Sequence, residues 1–316
     1  MKYSFVLPAY KAKFLRESID SILAQTYSDF ELIVVNDASP EDIGSIINTY
    51  QDKRVKYYVN SKNIGGKNLV SQWNHSILYA QGDYIILASD DDVYAPEYLF
   101  KIDILVCMYP DVNIFRPRVR YIDGAGETID VEGYIKEYCT KAEFFQSYVR
   151  GWVGSGIPFY TFKRDALMAI GGFPNYPLAW FTDDSVVLRL ATNGVVTVSD
   201  ILFNFRQSGH NITSKKNSLE NLRHKIQATE QFYNEGVDVI NNIPPVEDFI
   251  KNDLARTFAA FMEKNKIMGQ LFNASLGTIL ILTPQVLRLP FVRLRVLMKY
   301  YLVYFYRLVK NIISVR

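Results

Sequence analysis

The chain has 316 residues, 49% of them hydrophobic and 22% charged, which suits a folded protein with a sizeable core and excludes a disordered one. A formal net charge of +2 argues against a generally basic nucleic-acid binder, so no nucleic acid is expected as a partner. Two cysteines, Cys107 and Cys139, stand far apart without companion ligands. They indicate neither a zinc site nor a disulfide framework, and free thiols suit a reducing, cytoplasmic setting.

In chain order, "MKYSFVLPAYK" has an apolar stretch too short, and broken by Pro8, to read as a secretory signal; it predicts a first buried strand. "FLRESIDSILAQ" places Leu15, Ile19, Ile22 and Leu23 at helical spacing. "FELIVVNDAS" is a second strand, "EDIGSIINTY" a helix and "VKYYVN" a strand. "NLVSQWNHSILYAQG" is a helix ended by Gly82, with Trp73 and His75 as packing residues, and "DYIILAS" is the fourth strand. Such alternation implies crossovers and an α/β fold with a mostly parallel sheet. In these sheets ligands bind beyond the carboxyl ends of the strands. Those ends carry Pro8, Ala9 and Tyr10, then Asn36 and Asp37, then Asp90, Asp91 and Asp92, so all three polar ends should meet at one edge.

The three consecutive aspartates ask for an explanation. Two unit charges about 5 Å apart at an effective dielectric near 20 repel by roughly 3 kcal/mol. One reading is a polar turn capping a helix that starts near Pro96, with Glu97 in its first turn. The other is an oxygen-ligand site for Mg²⁺ or Mn²⁺, which use one or two carboxylates plus substrate phosphates.

Beyond residue 101 the alternation loosens. "NIFRPRVRYID" and "VVTVSDILFNFR" predict strands, and "KAEFFQSYVRG" predicts a helix. The Gly- and aromatic-rich "GWVGSGIPFYTFKRDALMAIGGFP" suits a binding loop beside a short helix, with Trp152 either a sugar-stacking surface or a core aromatic. Helical signals dominate after residue 215. No run approaches the roughly 20 apolar residues of a membrane span. "LPFVRLRVLMKYYLVYFYRLVKNIISVR" lacks acids and sets Arg295, Lys299 and Lys310 near one helical face, with Arg307 flanking and Leu302, Phe305 and Leu308 among the apolar residues. It reads as a helix at a membrane interface, or as one packed on the enzyme with a cationic rim.

The ordered combination of "FVLPAYKAKFLRESIDSILAQTYSDFELIVVNDASPED", "NIGGKNLVSQWNHSILYAQGDYIILASDDD", "AIGGFP", "FTDDSVVLRL" and "FNFRQSGHNIT" resembles inverting glycosyltransferases of family 2, which have the GT-A fold. The resemblance runs over roughly residues 3–213. It implies a Rossmann-like sheet flanked by helices, with residues 1–100 as the nucleotide-sugar half and 101–215 as the acceptor half; the helical signals beyond it make 216–316 a helical C-terminal region, expected to associate with a membrane or to pack on the enzyme. It also implies a nucleotide diphosphate sugar donor, UDP-linked first and GDP- or dTDP-linked otherwise. The acceptor would be a saccharide or lipid-linked, in cell-surface polysaccharide or glycan synthesis at the cytoplasmic face of a membrane.

By the same resemblance, Asp37 accepts a hydrogen bond from the base, although Asn36 stands where the family often has a second acid. An Asx turn is the competing reading there. Pro8, Tyr10, Lys67, Asp90, Arg206 and His210 join Asp37 as donor-nucleotide contacts, Arg206 and His210 covering the diphosphate. Asp91 is the expected direct ligand of Mg²⁺ or Mn²⁺ with Asp90 and Asp92 beside it, while strand alternation instead pairs Asp90 with Asp92. Many relatives have an acid where Ala88 or Ser89 stands. Counting back from Arg189 makes Asp183 the general base, with Asp184 the alternate and Thr182 in place of the usual preceding acid; a helix cap is the competing role. A non-catalytic nucleotide-sugar-binding or membrane-scaffold protein of the same fold is the rival reading, and a nucleotidyltransferase a weaker one, since "LPAYKAKFL" lacks the glycines of a triphosphate loop.

Overall fold

The computed structural model describes residues 1–208, 218–271 and 274–314, with side chains in the last helix described to 304 and at 306. The chain divides into two compact units, Met1–Lys215 and Lys216–Arg316.

The first unit is built on one sheet. Strands β1 (Tyr3–Ala9), β2 (Phe30–Asn36), β3 (Val55–Val59) and β4 (Tyr84–Leu87) alternate with helices α1 (Leu15–Leu23), α2 (Ile43–Ile47) and α3 (Leu69–Ser76). Strands β1 and β2, inside the parallel set, are buried on both faces and almost wholly apolar, as a sheet covered on both sides requires, and α1 turns Leu15, Ile19 and Ile22 into that cover. Next come β5 (Val93–Tyr94), α4 (Tyr98–Met108), β6 (Ile114–Asp123), β7 (Thr128–Val131), β8 (Tyr138–Cys139) and α5 (Lys141–Val149). After these, β9 (Thr161–Lys163), α6 (Arg164–Ala169), α7 (Thr182–Leu190) and β10 (Val195–Gln207) close the unit.

The strand order is β3-β2-β1-β4-β9-β6-β10-β5, with β7 on β6 and β8 on β10. Pairing is parallel across β3-β2-β1-β4 and again between β6 and β10, whereas β9, β5, β7 and β8 run antiparallel, so the whole sheet is mixed. The parallel set therefore ends where the βα alternation of the sequence loosens. Pro8, which has no N–H to give, lies beyond the last β1–β4 partners, Val6 and Leu87, so no ladder bond to β4 is lost.

Register decides where function can sit. Ala9 pairs Asn36 and Asn36 pairs Val59, so the carboxyl ends of the parallel strands share one edge. Strand β10 bends through two register shifts between Val198 and Phe203, and its pairing with β5 lays the segment after β4 along it.

In the second unit, α8 (Leu219–Asn241) and α9 (Asp248–Phe261) lead into a π-helical turn (Met262–Met268) and the single turn α10 (Gly269–Leu271). Then come α11 (Leu276–Leu287) and α12 (Leu294–Ser314). Among the described residues no helix is long and apolar enough to cross a membrane.

Candidate active site

The loops leaving β1, β2 and β4 are stitched to one another. Asp90 Oδ2 accepts the backbone N–H groups of Tyr10 at 3.0 Å and Lys11 at 2.8 Å. The Ser39 hydroxyl donates to the Tyr10 carbonyl, and Glu41 accepts the Ala12 N–H. The Ser18 hydroxyl donates to the Ser89 carbonyl. The polar strand ends thus meet at one edge, with Pro8 half-buried and the Tyr10 ring exposed beside them.

The capping reading of the aspartates fails. Glu97, at the N-terminus of α4, makes no side-chain cap, and the carboxylates of Asp90 and Asp92 bond elsewhere. Asp92 is fully buried and its Oδ1 accepts the Arg206 N–H at 2.8 Å. Burial pushes the Asp92 carboxyl well up, and the neighbouring Asp91 charge adds to it. Burial likewise raises Asp90 despite its two backbone donors. Asp91 is pushed up to about 6, first by burial and then by Asp90. Among the described residues no cluster of three His, Cys, Asp or Glu side chains forms a ready metal cage. The donor set nevertheless fits a hard cation that takes one or two carboxylates: Asp91 with the second oxygen of Asp90, while the buried Asp92 Oδ2 has no hydrogen-bond partner.

Arg206 corrects an expectation. Rather than opening toward a diphosphate, it is 2% exposed. Its Nε donates to the Asp91 carbonyl at 2.8 Å, its guanidinium pairs with Glu17 at 2.6 Å, and it lies 4.4 Å from the Phe14 ring centroid. It holds the acidic segment against α1 from behind.

Asp37 is also committed to the protein. Its Oδ1 accepts from Asn60 Nδ2 at 2.8 Å and Ile64 N at 2.9 Å, and its Oδ2 from Asn63 Nδ2 at 3.0 Å and Gly65 N at 2.7 Å. A carboxylate has about four acceptor positions, and these four donors fill them. Asp37 therefore fastens the 60–66 loop, while Asn36 makes the Asx turn by accepting from Ser39 N. Lys67 is exposed at the end of that loop, just before Asn68 caps α3. His210 lies outside the described residues.

On the acceptor side, α7 begins after a strained turn. Leu178, Ala179 and Phe181 have φ of 58°, 57° and 73°, a conformation that costs non-glycine residues about 1–3 kcal/mol each and clusters at active sites. Asp183 and Asp184 stand in the first helical turn, where the helix dipole favours carboxylates. Neither is the cap: Phe181 occupies that position, and the Thr182 hydroxyl donates to the Pro174 carbonyl. Asp184 faces the half-buried Tyr148, whose hydroxyl is driven well up by burial and then by Asp184 and Asp183.

The 173–175 loop is fastened to α3, since Asn74 bonds both N–H and C=O of Phe173 and Asn68 donates to Asn175. At Gly172, with φ of 83°, a Cβ would meet Asn74 Oδ1 at 2.5 Å. Trp73 and His75 pack on Phe173 and Tyr79.

Behind the glycine-rich loop lies a buried ion pair, Arg116 with Glu132. Arg116 donates to the Gly154 carbonyl and Glu132 Oε1 accepts the Gly154 N–H, so the pair brackets one glycine. Trp152 in that loop is 53% exposed and is not a core aromatic.

Residues 4–163 match the model of glycosyl transferase family 2. The chain belongs to that family. Curated relatives include an uncharacterised glycosyltransferase of Rickettsia typhi, 39% identical over 94 residues, 29% of this chain and 28% of the relative. Another, from Nostoc sp., is 26% identical over 221 residues, 67% of this chain and 66% of the relative. The chain thus spans little more than a quarter of the first of these relatives.

Among solved structures, S. aureus TarS 1–349 in complex with UDP-GlcNAc superposes with a TM-score of 0.62 at 17% identity, covering 90% of this chain and 78% of that one. The mannosyltransferase PcManGT of Pyrobaculum calidifontis, in complex with GDP-Man and Mn²⁺, gives 0.50 at 16%, covering 98% and 87%. At these identities the likeness is one of fold, a GT-A glycosyltransferase sheet with flanking helices.

Sequence reasoning missed Glu17, Asn74 and the Arg116–Glu132 pair in this family member. Arg116 did not stand out, because Arg118 and Arg120 alternate with it along β6, and Glu17 reads as ordinary helix surface.

Proposed function

We propose that this family 2 glycosyltransferase moves a sugar, with inversion, from a nucleotide diphosphate donor to a saccharide or lipid-linked acceptor in cell-surface glycan synthesis. A UDP-sugar is the first choice of donor, in keeping with TarS, which binds UDP-GlcNAc. The observation that supports the reading is the acidic segment 90–92, stitched into the strand-end loops at the carboxyl edge of the sheet, with Asp91 pushed up by burial and by the neighbouring Asp90. Residues 1–100 form the donor half and 101–215 the acceptor half.

Asp91, with Asp90, would hold Mg²⁺ or Mn²⁺, in keeping with the Mn²⁺ bound by PcManGT; a cation there supplies Lewis-acid stabilisation of the leaving diphosphate. Arg206 and Asp92 set the position of that segment without touching substrate. The base rests against the 60–66 loop that Asp37 fastens, with Pro8, Tyr10 and Lys67 lining the donor side. Asp183 takes the proton from the acceptor hydroxyl as its oxygen bonds to the anomeric carbon, and the bond from that carbon to the phosphate oxygen breaks on the opposite face. Asp184, facing Tyr148, steadies the start of α7. The C-terminal helices meet the cytoplasmic face of a membrane, where a lipid-linked acceptor would lie.

The test is release of nucleoside diphosphate from a panel of UDP-, GDP- and dTDP-sugars, with Mn²⁺ and with EDTA. Metal-dependent release from one nucleotide class, lost in Asp91→Asn, supports the reading. Undiminished release by that variant, or none from any donor, overturns it.

A further inference from the structure

Helix α11 has an inverted surface. Its buried side holds Ile279, Leu282 and Val286 against α8. Its exposed positions are Gly277, Leu280, Ile281, Pro284 and Leu287, with no polar side chain among them, and the first charge is Arg288 just past its end. Leu280 and Ile281 are 58% and 55% exposed. On a helix facing water the outward stripe is normally polar, so a contiguous apolar stripe marks an interaction face.

Helix α12 extends the same pattern. A hydrogen bond between Thr283 and Tyr301 ties the two helices into a hairpin. The exposed Leu294, Met298, Leu302 and Tyr306 recur at spacings of four, hence in one stripe, and Arg295 and Lys299 run beside it.

Charge selects the occupant. Residues 264–316 contain nine Lys or Arg and no Asp or Glu. The last acid, Glu263, offsets none of the exposed charge of α12, because it is buried and clamps Arg293, accepting the backbone N–H at 2.6 Å and Nε at 2.9 Å. A second copy on this face would bring the same cations together, whereas an anionic bilayer answers both the cations and the apolar stripe.

We infer that the outward stripe of α11, rimmed by Arg288 and by Arg295 and Lys299 of α12, is an insertion face for an anionic bilayer. The helix lies in the interface: its 12 residues reach about 18 Å, well short of a hydrocarbon core of about 30 Å. This deepens the membrane placement above by assigning the apolar insertion to α11, with α12 supplying the flanking charge.

Flotation of the full chain on phosphatidylcholine vesicles with and without phosphatidylglycerol, in the absence of donor, tests it. The protein should float with the anionic vesicles only. Leu280→Glu with Ile281→Glu should weaken binding on the order of 30-fold, since half-burying each side chain is worth about 1 kcal/mol. Arg295→Gln with Lys299→Gln should weaken it by a similar factor and flatten its salt dependence.

These positions are exposed, so unchanged circular dichroism and melting should confirm folding. Nucleoside diphosphate release by the same variants should stay at the parent level, which separates failure of docking from failure of the transferase reading. No flotation, flotation undisturbed by the α11 pair, or a dimer in light scattering that the α11 pair dissolves each overturn the inference.

Discussion

Replacing Asp37 with Asn separates two roles that a sequence cannot. The carboxylate accepts four hydrogen bonds, two on each oxygen, and is 4% exposed. An asparagine keeps one oxygen and its two donors, and turns an NH₂ toward the other two. Two charge-assisted bonds are lost at about 1.5–3 kcal/mol each, and two N–H groups are left facing donors. Rotation of the Asn60 or Asn63 amide recovers part, leaving a cost of about 3 kcal/mol. For a unit of this size that is a fall in Tm of roughly 6–12 °C, readable by calorimetry without any substrate. Donor affinity should fall alongside as the 60–66 loop loosens. A variant that melts like the parent and loses only donor affinity would show that Asp37 serves as an open ligand, refuting its role as a fastening.

Glu17→Ala removes the exposed partner of the buried Arg206. We expect about 1 kcal/mol of stability to go, the pair being half in water, and the Mn²⁺ concentration for half-maximal activity to rise severalfold. A lower Tm with unchanged metal dependence would make Arg206 merely structural. Asp183→Asn should keep donor binding in calorimetry while turnover drops about 10²–10⁴-fold; loss of donor binding instead would move Asp183 off the acceptor side. Asp91 titrates near 6, above its ordinary range, so the folded protein holds an extra proton between about pH 4 and 6 and the cluster costs stability above it. Mn²⁺ should therefore raise Tm more at pH 7.5 than at pH 5, and hardly at all in Asp91→Asn; an equal shift at both pH values would place the ion elsewhere.

The parallel half of the sheet was legible because β1, β2 and β4 are continuous apolar runs and each ends in polar residues, so one periodicity located both the core and its functional edge. The antiparallel strands were harder to read: β5 and β8 have two residues each, too few for any pattern, and exist because β10 offers them a partner. The acids were legible as types and positions, but not their duties. Whether Asp37 stands open or is saturated depends on amides 23–28 residues away, and whether Arg206 faces phosphate or protein depends on a glutamate on α1. Trp152 could not be assigned either, because an aromatic in a glycine-rich loop has no periodicity to tell an exposed ring from a buried one. The apolar face of α11 reads in sequence like any core helix; only the packing of its opposite side turns it outward.

The most direct measurement is a proton NMR time course of the full chain with Mn²⁺, an α-linked UDP-sugar and a saccharide acceptor, following the anomeric signals. The account expects consumption of the donor and a β-linked product, with the Asp183→Asn protein silent on the same timescale. An α-linked product, or transfer that persists in that variant, would contradict an inverting mechanism with Asp183 as its base.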